Sequence, residues 1–234
     1  MAFVMAITSL CIFTANCAGL FPKPYKSVNE KTDVREEQKS KDYAAPKVAA
    51  GIADNAVNES SGVAASRCNP GVFWTHNDSG DEAFLYAFDQ TGKKLGVWRV
   101  SSAKHEDWED IATAKDAKSG KCFLYIGDIG NNKRTRAELA VYKVPEPPVN
   151  DGDSASSKKN PLRAENAEAI RIEYPDARYD SETLMVHPTS GDIYILTKSF
   201  THEALIFKLT ASFKKGEINR LEKIGALAVP ALPN

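Results

Sequence analysis

Basic charge is not in excess in this 234-residue chain: 30 lysines and arginines face 31 aspartates and glutamates, for a formal net charge of -1 and a pI of about 6.4. No segment carries a basic stripe, so the electrostatic footprint of a nucleic-acid partner is missing. Cysteine is scarce, with four residues, and none stands in a CxxC or mixed Cys/His spacing of the kind that holds zinc. Neither Gly-x-Ser-x-Gly nor His-Glu-x-x-His occurs, which leaves nucleophile-elbow and zincin chemistry without support. Asp78-Ser79-Gly80-Asp81 lacks the twelve-residue span and closing glutamate of an EF-hand and reads equally as an Asx turn. Gly127 to Asn132 follows a strand but precedes no helix, so it is not a nucleotide-phosphate loop. Beyond residue 58 no long amphipathic helix is legible.

What is present begins with an apolar, uncharged stretch, Met1 to Ala15. A bilayer span needs roughly 20 residues. The length of this run and the small residues from Ala15 to Gly19 give a secretory signal over residues 1–18, although the usual basic n-region is missing. A buried helix or strand is the alternative. Cys17 adds the option of a lipid anchor, the one membrane association expected, although Thr14-Ala15-Asn16 departs from the usual acylation motif. The protein is therefore expected to be exported. Residues 19–57 are charged, with both signs mixed and no periodicity, and are expected to form a flexible linker. With the signal removed, Cys68 and Cys122 remain; they permit a disulfide or stay two separate buried thiols.

From Glu59 onward, short β-rich runs alternate with turn residues. Three segments align. The first holds Glu59 to Val63, Val72 to Asp78, Tyr86 to Phe88 and Leu95 to Val100. The second holds Glu109 to Ala112, Cys122 to Asp128, Tyr142 to Val144 and Ala169 to Ile172. The third holds Glu182 to Val186, Ile193 to Lys198, Phe207 to Leu209 and Leu221 to Leu227. Four strands recurring at roughly 40 to 50 residues mark a β-propeller. The expected architecture is thus all-β: a partial propeller over 58–234, with blades at about 58–102, 106–175 and 179–230. Residues 145–165 are an insertion. A β-sandwich or an open sheet repeat is the alternative. Three blades fall short of the usual ring of about 4 to 8, so further blades, or another chain, are expected to close it.

In a blade the start of strand one and the end of strand two share one face of the disc. That places Glu59, Glu109 and Glu182 together at the channel mouth, with Asp107 and Asp180 from the preceding loops. It also brings in His76, Asn77, Asp78, Asp128, Asn131 and Lys198 from the strand-two ends. Carboxylates crowded into one mouth need a cation, a basic partner or raised pKa values. Calcium takes six to eight oxygen ligands, and Asn77, Asp78, Glu109, Asp128 and Asn131 are of that type. His76 adds a possible general base with a pKa near neutrality. Asp107 and Glu109 are the other proton-transfer candidates. Glu59, Trp108, Glu182 and Lys198 are candidates for contacting a ligand. The repeated glutamates equally suit capping of backbone N–H groups. Trp74 and Trp98 suit an inter-blade core. His187 suits a structural place in a far-face turn, and His105 and His202 are loop residues without a clear partner.

Four motifs carry a resemblance: Trp74 to Asp81, Asp107 to Ala112, Tyr125 to Asn132 and Gly191 to Lys198. Together they resemble a group of exported bacterial propeller proteins, over about residues 58–210. The architecture is more distantly similar to propeller phytases and lactonase-type propellers, which hold calcium at the channel mouth. Where the resemblance implies Asp-Asn after Ile129-Gly130, this chain has Asn131-Asn132, one negative charge fewer. Two functions follow as expectations. One is a calcium-dependent hydrolase of a phosphate ester, ester or lactone, with Asn77, Glu109 and Asp128 as ligands and His76 or Asp107 as base. The other is a non-catalytic propeller that binds a small molecule, glycan, peptide or protein at the cell envelope.

Overall fold

The computed structural model describes residues 47–199 and 203–229. The signal segment, Cys17, most of the linker and His202 lie outside the described residues. Among the described residues, fourteen strands and one short 3-10 turn are the regular elements. The fold is all-β, as the alternating pattern predicts. Among the described residues no helix is long and apolar enough to cross a membrane.

The strands are β1 (Ser60–Ala65), β2 (Val72–Asn77), β3 (Phe84–Asp89), β4 (Lys94–Ser101), β5 (Trp108–Lys115), β6 (Cys122–Asp128), β7 (Leu139–Pro145), β8 (Leu162–Asn166), β9 (Glu168–Glu173), β10 (Ser181–Val186), β11 (Ile193–Thr197), β12 (Glu203–Leu209), β13 (Ile218–Arg220) and β14 (Glu222–Ala228). They form three sheets, ordered β1-β2-β3-β4-β8, β5-β6-β7-β9-β13 and β10-β11-β12-β14. Each sheet has four antiparallel strands as its frame. The first two gain a fifth strand from further along the chain: β8 lies parallel on β4, and β13 lies parallel on β9. The end of the 145–165 insertion is therefore the start of an edge strand of the first sheet.

The sheets stack face to face, which is why the middle strands read as continuous apolar runs such as FLYAFD in β3 and CFLYIGD in β6. One core lies between the first and second sheets, around Trp74, Leu85, Trp98, Ile111 and Tyr142. The rings of Trp74 and Trp98 meet edge to face at 5.0 Å. A second core lies between the second and third sheets, around Ile129, Ile170, Leu184, Ile195 and Phe207. The outer face of the first sheet is closed differently. Ile52, Ala56 and Val57 pack on Phe84, Tyr86 and Val97, and Val57 is only 5% exposed. The linker expected to run to residue 57 thus joins the folded body some residues earlier, because apolar residues at its end cover an open sheet face.

Cys68 and Cys122 form a disulfide, with Cα atoms 6.0 Å apart, and tie the β1–β2 turn to the start of β6. Glu146 reinforces the same seam. Its Oε1 accepts from Trp74 Nε1 at 2.9 Å and Asn69 Nδ2 at 3.0 Å.

Candidate functional site

The first strand of each sheet carries the same irregularity. Its ladder slips between Ser60 and Gly62, between Trp108 and Asp110, and between Ser181 and Thr183. A β-bulge of this kind re-aims the extra residue, which is Ser61, Glu109 or Glu182. Position by position, Ser61 stands where Glu109 and Glu182 stand, and Glu59 is equivalent to Asp107 and Asp180. The expected alignment of Glu59 with Glu109 and Glu182 is off by two residues. A slip in register cannot be read from residue types, and Glu59 is exposed.

The bulges gather five carboxylates. One oxygen from each of Asp78, Asp107 and Glu109 lies within 4.8 Å of the others, and the same holds for Glu109, Asp180 and Glu182. Glu109 belongs to both groups and is 3% exposed. Ser61 Oγ donates to its Oε2 at 3.4 Å. A Cβ at Gly130 would overlap the Glu109 and Asp107 carboxylates, so glycine is the residue that lets the β6–β7 loop close over them. Burial and the neighbouring Glu182, Asp78 and Asp107 push the Glu109 carboxyl up to about 9. Burial, then Asp78, raise Asp107 against the opposing pull of Arg136. Lys198 pairs with Glu182 and lies 3.9 Å from Asp180. Burial alone lowers Lys198, but Glu182, Asp180 and Glu109 outweigh it and hold its ammonium above the usual range. Lys198 is thus paired on the Glu182–Asp180 side and also acts on Glu109, while Arg136, paired with Asp128 and Glu106, acts on Asp107.

Several expected site residues serve other purposes. His76 is fully buried, with Nδ1 2.8 Å from the Asn77 carbonyl oxygen, and burial lowers its pKa to about 4. It is therefore not a base poised near neutrality. Asn77 spends its side chain mostly on the backbone: Oδ1 accepts from the N–H groups of Asn58 and Glu59, and Nδ2 donates to the Ala56 carbonyl and to the Asp81 carboxylate. Asp128 accepts from the Asp107 N–H at 3.0 Å and pairs with Arg136 at 2.9 Å. Burial still raises it despite that partner. Asn131 closes its own loop, donating to the Arg136 carbonyl and accepting from the Arg136 N–H. The side chains of Asn77, Asp128 and Asn131 are taken up by these partners, and Asn131 meets the acids through its N–H, which donates to Asp180 Oδ1 at 2.7 Å. Trp108 is 0% exposed and donates to the Lys104 carbonyl, so it is core, flanked by His105 at 4.6 Å between ring centroids.

Asp110 and Arg136 are neighbours of the acids that the residue pattern did not single out. Asp110 Oδ2 accepts from the Leu184 N–H at 2.8 Å and Oδ1 from the Ile111 N–H at 2.8 Å, so it stitches β5 to β10. A Cβ at Gly62 would stand 2.7 Å from Asp110 Oδ1, which shows how closely β1 approaches from the other side. Burial pushes Asp110 up to about 7, against those two N–H groups. The one signal for it in the sequence was its place within the HEDWED cluster.

Away from the acids, the strand-one to strand-two turns of the second and third sheets border a cavity of about 290 Å³, lined in part by Lys115, Lys118, Tyr125 and His187. His187 there accepts from the Thr189 and Ser190 N–H groups, the structural role its sequence position suggests. No protein-family model, no curated protein and no solved structure matches this chain, so the geometry of the site carries the functional argument.

Proposed function

We propose that the three sheets are blades of a β-propeller larger than the three described units, and that its acidic mouth binds a divalent cation. Calcium is the first ion to test, since every ligand is oxygen. One observation carries this reading. One oxygen from each of Asp78, Asp107 and Glu109 lies within 4.8 Å of the others, and burial with the neighbouring Glu182, Asp78 and Asp107 pushes the Glu109 carboxyl up to about 9. An ion bound there supplies positive charge and displaces the proton. The Cys68–Cys122 bridge supports export, because disulfides persist in oxidising compartments.

Calcium at about a hundred times its dissociation constant stabilises a native state by about 2.7 kcal/mol, which raises the Tm of a domain of this size by about 5–11 °C. We expect that shift, its loss with chelator, and its absence in Glu109→Gln. Calorimetry at pH 7 in buffers of different ionisation heat should report close to one proton released per ion. No shift with calcium, magnesium, manganese or zinc would sink the reading.

A catalytic role is the second reading, and Asp107 favours it. Its carboxyl is only partly buried, borders the same group and is raised, so it is suited to take a proton from water polarised by the ion. Turnover of a phosphomonoester, ester or lactone that chelator abolishes is then expected. Asp107→Asn should lower kcat by about 10²-fold or more while keeping the calcium shift in Tm. An ion-dependent melt without turnover favours a binding propeller at the cell envelope.

A further inference from the structure

The fourth strand of a unit is not an edge where a following unit is present. In the first sheet β4 is covered by β8, which comes from the connection between the third and fourth strands of the second sheet. In the second sheet β9 is covered by β13, which comes from the corresponding connection of the third sheet. Both additions are parallel and fall at the same place. β8 pairs over Trp98 to Ser101, and β13 pairs over Arg171 to Glu173. The antiparallel registers make Arg99, Arg171 and Ala226 equivalent, and likewise Val100, Ile172 and Leu227. Val100 is 3% exposed and Ile172 is 0% exposed, but Leu227 is 36% exposed. Among the described residues β14 has no strand on its outer edge, and six of its seven residues are exposed.

The faces follow the same rule. Leu85 and Val141 are buried in the two inter-sheet cores, while their counterpart Ile206 is only partly buried. Ala64 and Ala112 face the same cores, and their counterpart is Met185. Among the described residues the third sheet is thus open where the first two are closed. A second copy docked head to tail does not fit that opening. It would present the outer face of its first sheet, which Ile52, Ala56 and Val57 already cover. The turn from β3 to β4, residues 90–93, is also too short to lend a strand.

We propose that the open side of the third sheet docks a fourth unit of the same build. The connection between that unit's third and fourth strands lies parallel on Ala226 to Ala228, and the docked unit buries Leu227 as Val100 and Ile172 are buried in the inter-sheet cores. This rests on the reading of the units as blades of a longer ring, and it is independent of the cation site.

The test uses single-cysteine reporters, Leu227→Cys and Met185→Cys, each with Cys11→Ser and Cys17→Ser and with the native disulfide kept oxidised. Each is placed in the 234-residue chain and in that chain extended by a second copy of residues 174–229. The maleimide labelling rate is read. We expect fast labelling of both positions in the 234-residue chain, and labelling slowed at least tenfold at both in the four-unit chain. Protection at 185 with fast labelling at 227 overturns the strand addition and leaves the ring reading standing. Fast labelling at both overturns the docking and counts against the ring. Slow labelling at 227 in the 234-residue chain assigns the edge to a terminal segment if independent of concentration, or to a second copy if it grows with concentration. Either overturns the proposal.

Discussion

Glu109 and Asp110 are adjacent on β5, and the bulge gives them different work. Asp110 accepts two backbone N–H groups and holds β5 against β10. Glu109 is aimed into the carboxylate group, where it accepts from the Ser61 hydroxyl and shares a hydrogen bond with Glu182. The consequence is a pH dependence whose sign can be worked out. An unfolded Glu109 ionises near 4.5, whereas the folded one ionises near 9. Between those values the folded state holds the extra proton, so without a divalent cation stability falls as pH rises through the window. Urea midpoints measured from pH 5 to pH 9 should decline, and Glu109→Gln should flatten the decline. Saturating calcium should do the same, because the ion replaces the proton. A midpoint that rises from pH 6 to pH 9 in the cation-free protein would count against a Glu109 buried among carboxylates. His76, Asn77 and Asn131 carried the right chemistry for a site and were legible as polar residues at strand-two ends. Their occupation by backbone partners was not legible, since those partners, such as the Ala56 carbonyl on Asn77, lie across loops whose path is set only by the fold.

At the scale of elements, the strands themselves were legible because the middle strands are rich in apolar and aromatic residues, most fully in β3 and β6. The order of four strands repeated in each unit followed from the same pattern. β8 and β13 escaped notice for the opposite reason. LRAEN and INR are short, polar edge pieces held by backbone pairing, and nothing in their side chains announces it. The seam between the first two sheets is the element-scale feature with the clearest energetic consequence. Cys68 and Cys122 are 54 residues apart in sequence, and closing a loop of that length restricts the unfolded chain by about 4 kcal/mol in the entropic account. Measured values run at about 2–4 kcal/mol. Reduction should therefore lower Tm by about 4–16 °C. Glu146, which accepts from Trp74 across the same seam, keeps the two sheets in contact, so the reduced protein should still melt cooperatively. An unchanged Tm after both thiols become titratable would show that the seam contributes nothing to the unfolded-state restriction.

The whole molecule is a stack whose members are unequally covered. The second sheet has a neighbour on each face. The first has a neighbour on one face and the Ile52 to Val57 cover on the other. The third has a neighbour on one face, and its β14 is exposed along almost its whole length. In a stack where each unit contacts only its neighbours, stability is approximately the sum of unit and interface contributions, and local opening starts at the least covered end. Native-state hydrogen exchange resolves this. The amides of β6 and β7 should exchange only through global unfolding. Those of β12 and β14 should exchange through an opening at lower free energy and with weaker denaturant dependence, and the first sheet should lie between. Calcium adds a diagnostic, because the acids come from all three sheets: Asp78 from the first, Asp107 and Glu109 from the second, Asp180 and Glu182 from the third. An ion held by Asp78, Asp107 and Glu109 alone should slow exchange in the first two sheets and leave β12 and β14 unchanged. One that also draws on Asp180 and Glu182 should raise the opening free energy of the third sheet as well. A single exchange free energy shared by all three sheets, with and without calcium, would mean that the stack unfolds as one body, and the graded-end argument would fall.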